Sequence, residues 1–176
     1  MKRSIAVLAA LVAGVANAHV SLEQPTAEVG SYYKAAFRVG HGCEGTATRE
    51  VTVRIPAGFR GSKPMVKPGW AIAIRKEKLA QPYDSHGRKV TEDVVEVSWR
   101  ASSPQAYLAD AWYDEFVIRT QLPDKPGAQW FEVLQLCEKG QWNWAEKPAS
   151  GTSIRGLRAP AVLLEVVPSA ASEHHH

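Results

Sequence analysis

The residues around position 19 combine an export signal with a histidine that could chelate a metal ion. Two basic residues, an apolar stretch over residues 5–15 and an Ala-x-Ala motif over residues 16–18 are typical of a cleavable secretory signal peptide. Cleavage after Ala18 would make His19 the first residue of the mature chain, with a free α-amine. This amine and the imidazole Nδ1 could close one chelate ring, and nitrogen ligands in a flat arrangement favour Cu(II). The alternative is that signal peptidase tolerates His19 and that the histidine has no function.

The remaining histidines form no recognised catalytic or metal-binding spacing. His41 lies between two glycines and His86 precedes Gly87, and both are loop sequences. The favoured interpretation of each is a turn residue that bonds to the backbone. Outside the three terminal histidines there is no HxH, HxxxH or HExxH spacing, which disfavours a closed zinc site or a zinc hydrolase. A GxSxG motif and a Gly-rich phosphate loop are also absent from the sequence, so the usual serine hydrolase and phosphate-binding patterns are not met.

The length predicts one domain between the signal peptide and a short tail. Removing 18 of 176 residues leaves 158, which is enough for a single domain with a substantial core. We therefore expect a signal peptide at 1–18, one domain at 19–168 and a tail at 169–176. The tail ends in three histidines and is interpreted as derived in part from a purification tag. Because such a tail binds copper and nickel by itself, it is excluded from the functional interpretation.

The charge and hydropathy of the mature chain disfavour two classes of partner. The signal peptide removes Lys2 and Arg3 from the 21 basic side chains, which leaves 19 against 18 acidic ones. No basic block or basic helical face is present, so nucleic acid is not an expected partner. No later stretch reaches about 18 consecutive apolar residues, so no membrane span is expected in the mature chain.

The two cysteines are far apart in a chain that is predicted to be exported. An oxidising compartment favours a disulfide between Cys43 and Cys137. In the chain-entropy model, closing a loop of this length stabilises the fold by about 4 kcal/mol. The alternative is a thiolate metal pair, which the lack of a CxxC spacing and the predicted export both disfavour.

Two tryptophans and two carboxylates are further candidates for residues of a metal site. Trp142 and Trp144 follow the second cysteine in an expected loop or strand end. An indole there could place its π-face over an open axial position of a metal, or it could fill the core. Alternation along residues 112–121 puts Asp114 on one strand face and Glu115 on the other. A carboxylate at this strand entrance is either a surface residue at the sheet rim or a ligand in a semi-buried pocket.

Short strands separated by Gly, Pro and Asp predict an all-β fold. Turn signals recur every eight to twelve residues, and no amphipathic helix of three turns is evident. A helical turn is expected only within residues 106–111. We therefore predict an antiparallel β-sandwich. The expected strands cover residues 33–39, 48–55, 70–74, 95–99, 112–121, 129–137 and 162–167.

Six short motifs, in order along nearly all of the mature chain, form a recognisable pattern. They are Ala18-His19-Val20, Gly40-His41-Gly42-Cys43-Glu44-Gly45, Val53-Arg54-Ile55-Pro56, Lys67-Pro68-Gly69-Trp70, Tyr113-Asp114-Glu115-Phe116, and Gln135-Leu136-Cys137-Glu138-Lys139-Gly140 with Trp144. In these motifs the chain resembles the YcnI-like copper-binding family, formerly a domain of unknown function. It looks like the proteobacterial branch, in which the two cysteines occur together.

The resemblance implies an immunoglobulin- or cupredoxin-like sandwich that binds Cu(II) through a mono-histidine brace. By resemblance, His19 supplies the amine and imidazole, Glu115 completes the equatorial ligands and Trp144 covers the metal. Trp142 is a neighbouring candidate for the cover. Some family members carry a C-terminal membrane anchor that is not seen in this sequence, which favours a freely soluble periplasmic form.

The expected function is copper homeostasis or delivery in the periplasm, without catalytic turnover. The expected partners are the copper ion and another periplasmic copper chaperone or a copper transporter. One alternative is a copper-dependent oxidative enzyme of the lytic polysaccharide monooxygenase type, which needs a second histidine in the brace. His41 and His86 are the available residues for that role. A second alternative is a metal-free exported interaction domain.

Overall fold

The computed structural model describes residues 19–169, and this part of the chain is almost entirely β-structure. The predicted signal peptide and residues 170–176 of the predicted tail lie outside the described residues. No helix within residues 19–169 is long and apolar enough to cross a membrane. The strands are β1 (Ser21–Leu22), β2 (Thr26–Glu28), β3 (Tyr32–Val39), β4 (Thr48–Arg54), β5 (Arg60–Pro64), β6 (Trp70–Ser85), β7 (Arg88–Ala101), β8 (Asp114–Gln121), β9 (Gly127–Cys137), β10 (Gln141–Trp144) and β11 (Val162–Val167).

The strands form two sheets that pack face to face. The smaller sheet has the order β1-β3-β8-β5, and the larger has the order β2-β11-β9-β4-β7-β6, with β10 also paired to β9. Neighbouring strands are antiparallel except for β2 and β11, which are parallel. The predicted all-β sandwich is confirmed.

Aromatic side chains from both sheets form the centre of the core. Phe37 of β3 and Phe131 of β9 have ring centroids 5.1 Å apart, in an edge-to-face arrangement. Phe116 of β8 and Trp99 of β7 meet in the same way, at 5.6 Å. All four rings are fully buried. Edge-to-face contacts of this kind stabilise the layered packing by more than the buried area alone.

The hairpin of β6 and β7 is much longer than the sequence pattern predicts. Residues 75–94 continue the pairing beyond the predicted alternating segments, with register irregularities after Arg75 and after Lys78. Most of these side chains are exposed, so neither face carries the apolar alternation on which the prediction depends. His86 lies in the turn of this hairpin with a φ of 49°, followed by Gly87 with a φ of 73°. Its predicted position in a turn is confirmed.

The short elements also differ from the prediction. Strands β1, β2, β5 and β10 have two to five residues each and were not predicted, because so few residues show no periodicity. The expected helical turn within residues 106–111 is wrong. A 3₁₀ turn instead covers Pro104–Ala106, where the fixed φ of Pro104 suits the first helical position.

The outer face of the larger sheet carries a charged cluster around Glu96. The Glu96 carboxylate accepts hydrogen bonds from Arg75 at 3.3 Å and from Arg54 at 3.0 Å. The bond from Arg75 is the main cause that lowers the pKa of Glu96 from its ordinary value. This side chain therefore stays ionised in the folded protein at a lower pH than an isolated glutamate would.

The chain segments that carry the candidate site residues meet at one end of the sandwich. Strand β1 begins there, β3 ends there, and β8 begins beside the end of β3, since Val39 pairs with Asp114. The loop of residues 40–47 closes the same end. It is joined to the end of β9 by the Cys43–Cys137 disulfide, whose Cα atoms are 5.7 Å apart. The predicted disulfide is confirmed.

Candidate metal site

Trp144 forms the floor of a candidate site at this end of the sandwich. It lies on β10 opposite Val133 of β9, and it is 2% exposed. Trp142, two residues earlier on the same strand face, stacks on it with ring centroids 5.1 Å apart and an interplanar angle of 25°. The predicted loop or strand end is therefore a short strand that presents both indoles to the interior.

A buried glutamine fixes the orientation of the Trp144 ring. The indole Nε1–H donates to Gln135 Oε1 at 3.1 Å. The amide nitrogen of Gln135 donates to the His41 carbonyl at 2.7 Å and to Thr48 Oγ1 at 2.8 Å. Gln135 is fully buried, and a buried polar side chain is tolerated only when its hydrogen bonds are made. This network connects the tryptophan to the loop that carries His41.

His19 lies directly against Trp144. The two ring centroids are 5.6 Å apart with an interplanar angle of 65°, so the imidazole stands steeply against the indole. Val20 and Leu22, which follow His19, are buried in the core. They hold the start of β1 to the sandwich. The structure therefore brings together two of the residues predicted for the metal site, and Trp144 rather than Trp142 contacts the His19 ring.

His41 approaches the same tryptophan from the loop after β3. Its ring centroid is 6.2 Å from that of Trp144, with an interplanar angle of 84°. The sequence predicts a turn residue at this position. The residue does lie in a loop, but its ring packs beside Trp144 together with His19. Among the sequence-predicted histidines, His86 is the one placed away from this end, in the turn between β6 and β7.

Glu115 lies at the same end of the molecule but on the outer face of the smaller sheet. Phe116 and Ile118 of β8 point into the core, so alternation puts Glu115 on the outer face. Its Oε1 atom lies 3.6 Å from Arg38 Nε and accepts a hydrogen bond from the Tyr113 hydroxyl. That hydrogen bond raises the pKa of Tyr113.

The position of Glu115 relative to His19 follows from the strand register. Arg38 of β3 pairs with Ser21 on one side and with Glu115 on the other. Two strand spacings amount to about 10 Å, which separates the backbone of Glu115 from that of β1. Within residues 19–169 the structure records no direct contact between Glu115 and His19.

Asp114 lies on the same strand face as Phe116, at the exposed end of β8, and is already paired. Its Oδ2 atom lies 2.6 Å from Lys67 Nζ, and Lys67 also donates to the Glu115 carbonyl at 3.0 Å. The Lys67 ammonium lies 4.7 Å from the centroid of the Phe116 ring. Asp114 and Lys67 therefore fix the start of β8, and the strand assignment is consistent with Asp114 and Glu115 lying on opposite faces.

Comparison with known proteins places the chain in a family. Residues 19–166 match DUF1775, a domain of unknown function. The chain belongs to the DUF1775 family. A search of curated proteins gives no match to this DUF1775 chain.

Solved structures support the fold of the DUF1775 domain. An uncharacterised protein from Nocardia farcinica, described as having an immunoglobulin-like fold, matches with 23% identity and a TM-score of 0.64. The match covers 85% of this chain and 98% of that one. A type I cohesin from Pseudobacteroides cellulosolvens matches with 11% identity and a TM-score of 0.44, over 90% of this chain and 97% of the cohesin. The first likeness shows that the sandwich is immunoglobulin-like.

The donors that the described residues place at this end are imidazole nitrogens and carboxylate oxygens. Both cysteines are in the disulfide, so no thiolate is available within the described residues. Among residues 19–169, no group of three or more His, Cys, Asp or Glu side chains could hold a metal ion. A brace needs one imidazole and the amine that cleavage before His19 would create. Nitrogen and carboxylate donors of this kind suit Cu(II).

Proposed function

We propose that this DUF1775 domain is an exported Cu(II)-binding protein of copper homeostasis or delivery in the periplasm, without catalytic turnover. The α-amine and Nδ1 of His19 would hold the metal, Glu115 would add a carboxylate and Trp144 would cover the site. The observation that carries the proposal is the His19 ring standing 5.6 Å from the buried Trp144. The family match also begins at His19, the residue that the predicted cleavage would expose. The resemblance to the YcnI-like copper-binding family supplies the ligand set.

The surroundings of His19 support a binding role rather than an accidental position. The side chains of Val20 and Leu22 anchor β1 in the core, so the new amino terminus would be held at the sandwich end instead of extending into solvent. The indole beside it is fixed by its hydrogen bond to Gln135. A ligand held in one orientation before binding loses less conformational freedom when the metal arrives, which increases affinity.

Glu115 would have to exchange contacts to bind the metal. Its carboxylate now interacts with Arg38 and Tyr113 on the outer sheet face. The Arg38 and Glu115 side chains are partly exposed, at 43% and 24%, and the buried Arg38 Nε makes no hydrogen bond within the described residues. An ion pair of this length between partly exposed side chains contributes only about 0–1 kcal/mol. Releasing these contacts is therefore a small cost compared with forming a bond from an anionic oxygen to a dication. The same contacts would hold the carboxylate in place when copper has left, which suits a protein that delivers its cargo.

The experiment that tests the proposal compares two amino termini. One protein starts at His19 and lacks residues 174–176, and the other is identical except for one alanine placed before His19. Isothermal titration with Cu(II) should show one tight site in the first and none in the second, because the added residue converts the amine into an amide. Equal affinities of the two proteins would contradict the proposal.

One observation favours a second candidate function, an oxidative copper enzyme. Such enzymes use two histidines, and the structure places His41 beside the tryptophan that His19 contacts. The discriminating measurement is peroxide formation by the copper-loaded protein in the presence of ascorbate and oxygen. The binding-protein proposal predicts no rate above that of free copper, whereas a faster rate that depends on His19 would favour the enzyme.

A further inference from the structure

Three cationic side chains form a row across the outer face of the smaller sheet, which we call the cationic row. In the strand register, Arg119 of β8 pairs with Lys34 of β3 on one side and with Lys63 of β5 on the other. Directly paired residues point to the same face of a sheet, with Cβ atoms about 4.5–5.5 Å apart. All three side chains are exposed, whereas the preceding residues Tyr33 and Ile118 are buried, so the row faces outward. The row therefore spans two strand spacings, about 10 Å.

The charges of the cationic row are poorly compensated by the rest of the protein. Lys34 Nζ lies 3.9 Å from Glu23 Oε2, which is long for an ion pair. Neither Arg119 nor Lys63 forms an ion pair with another of the residues 19–169. Arg38, two residues beyond Lys34 on the same strand face, lies 3.6 Å from two different carboxylates. Because like charges directly opposite one another destabilise a sheet, an anion from outside the protein would relieve the repulsion within the row.

The central guanidinium of the cationic row is held over an aromatic ring. The Cζ atom of Arg119 lies 4.3 Å from the centroid of the Tyr32 ring. A guanidinium that stacks in this way keeps its N–H groups at the edge of its plane. Such a group binds a carboxylate through two parallel hydrogen bonds, which a lysine cannot do. The stacking therefore favours a carboxylate as the anion that Arg119 binds.

Apolar side chains border the cationic row on both sides. Tyr32 is 63% exposed on one side and Met65 is 52% exposed on the other, and both line a groove of about 500 Å³ together with Val117. The Met65 N–H donates to the Val117 carbonyl, and Val117 pairs with Ala36. Tyr32 and Met65 therefore lie four residues apart along the strand direction, which is about 13 Å. Grouped apolar side chains at a surface are typical of protein interaction sites.

We propose that the cationic row binds an acidic segment of another protein, in which carboxylates lie between two apolar residues. This inference goes beyond copper binding and does not depend on it. Two apolar residues four positions apart in an extended segment span about 13 Å, so they match Tyr32 and Met65. The acidic residues between them then lie over the row. A nucleic acid or an inorganic anion has positive charge to bind here, but it has no apolar side chains to place in the groove.

The test is fluorescence anisotropy with the labelled peptide Gly-Leu-Glu-Glu-Glu-Leu-Gly and copper-free mature protein without the three terminal histidines. The peptide should bind the parent protein, and the double variant Lys63→Gln with Arg119→Gln should bind it at least tenfold more weakly, about 1.4 kcal/mol. The matched control is Arg88→Gln with Lys89→Gln, which removes the same charge from two exposed side chains of the β6–β7 hairpin and should keep the parent affinity. Raising the salt to about 1 M, where the Debye length is about 3 Å, should weaken binding to the parent.

A second peptide and a single variant make the outcomes decisive. The peptide with glutamine in place of each glutamate should bind at least tenfold more weakly, about 1.4 kcal/mol. If the double variant is unstable, Lys63→Gln alone serves, because Lys63 forms no ion pair within residues 19–169 whose loss could unfold the protein. Equal affinities of the two peptides, equal affinities of the parent and the row variant, or no peptide binding to the parent would each overturn the proposal. Binding of the parent to phosphatidylglycerol vesicles without peptide binding would instead assign the row to a membrane surface.

Discussion

Replacing Gln135 by methionine should destabilise the protein far more than its similar size suggests. The substitution removes the acceptor of the Trp144 indole N–H and the donor to the His41 carbonyl and to Thr48 Oγ1. A buried polar group left without its partner costs about 1–3 kcal/mol. Thr48 Oγ1 also has the Cys137 sulfur 3.8 Å away, so we count two affected groups. The expected loss in unfolding free energy is therefore about 3 kcal/mol.

Urea denaturation followed by circular dichroism measures this loss directly. The matched control is Gln121→Met, because Gln121 is only half-buried and its amide makes one hydrogen bond, to the Gly30 carbonyl at 3.1 Å. We expect the control to lose less than about 1 kcal/mol. In Gln135→Met the indole of Trp144 also loses its acceptor, so its fluorescence should change in the folded protein. If Gln135→Met were as stable as the control, the hydrogen-bond network would not be what holds the site together.

Three further predictions concern the ligands, the cover and the charged cluster. Glu115→Gln should weaken Cu(II) binding at least tenfold in isothermal titration, about 1.4 kcal/mol, whereas Asp114→Asn should not. A larger loss of affinity in Asp114→Asn than in Glu115→Gln would assign the ligand to Asp114 instead. One equivalent of Cu(II) should quench tryptophan fluorescence. Trp144→Phe should remove more of this quenching than Trp142→Phe, because His19 contacts Trp144. An equal effect of the two variants would make Trp144 a core residue only. Because the pKa of Glu96 is lowered in the folded protein, its ionised carboxylate stabilises the fold fully above its ordinary pKa of 4.5, and this stabilisation is lost as the pH falls through the folded-state pKa. Glu96→Gln should therefore flatten the acid limb of a curve of stability against pH. An unchanged limb would refute this assignment.

The regular part of the fold could be predicted because its alternation is strong. Strand β11 has the predicted bounds, and β3, β4 and β9 differ from the prediction by one or two residues at their ends. In β3 and β4 an apolar inner face alternates with a largely polar outer face, which is the pattern that sequence analysis detects. Strands β9 and β11 also carry apolar residues on the outer face, such as Trp130 and Leu163, and were delimited by flanking prolines, before β9 and on both sides of β11. The long β6–β7 hairpin lacks that pattern, because both of its faces are largely exposed over residues 75–94.

The candidate site was predicted only in part, because it depends on contacts between distant segments. His19 and Trp144 were predicted together from the resemblance, and the structure places them in contact. The place of His41 beside them was not predicted. The expected disulfide already contained the signal for it, since a bond from Cys43 to Cys137 must bring the loop of His41 close to the hairpin that leads to Trp144. Gln135 gave no signal, because a glutamine on a strand is ordinarily a surface residue.

The central claim, that a free amino terminus at His19 binds copper, is tested most directly by continuous-wave electron paramagnetic resonance. The sample is protein that starts at His19, lacks residues 174–176 and holds one equivalent of Cu(II). We expect an axial Cu(II) spectrum with nitrogen hyperfine structure, which an alanine added before His19 replaces with the spectrum of copper in buffer. Identical spectra from the two proteins would contradict the claim.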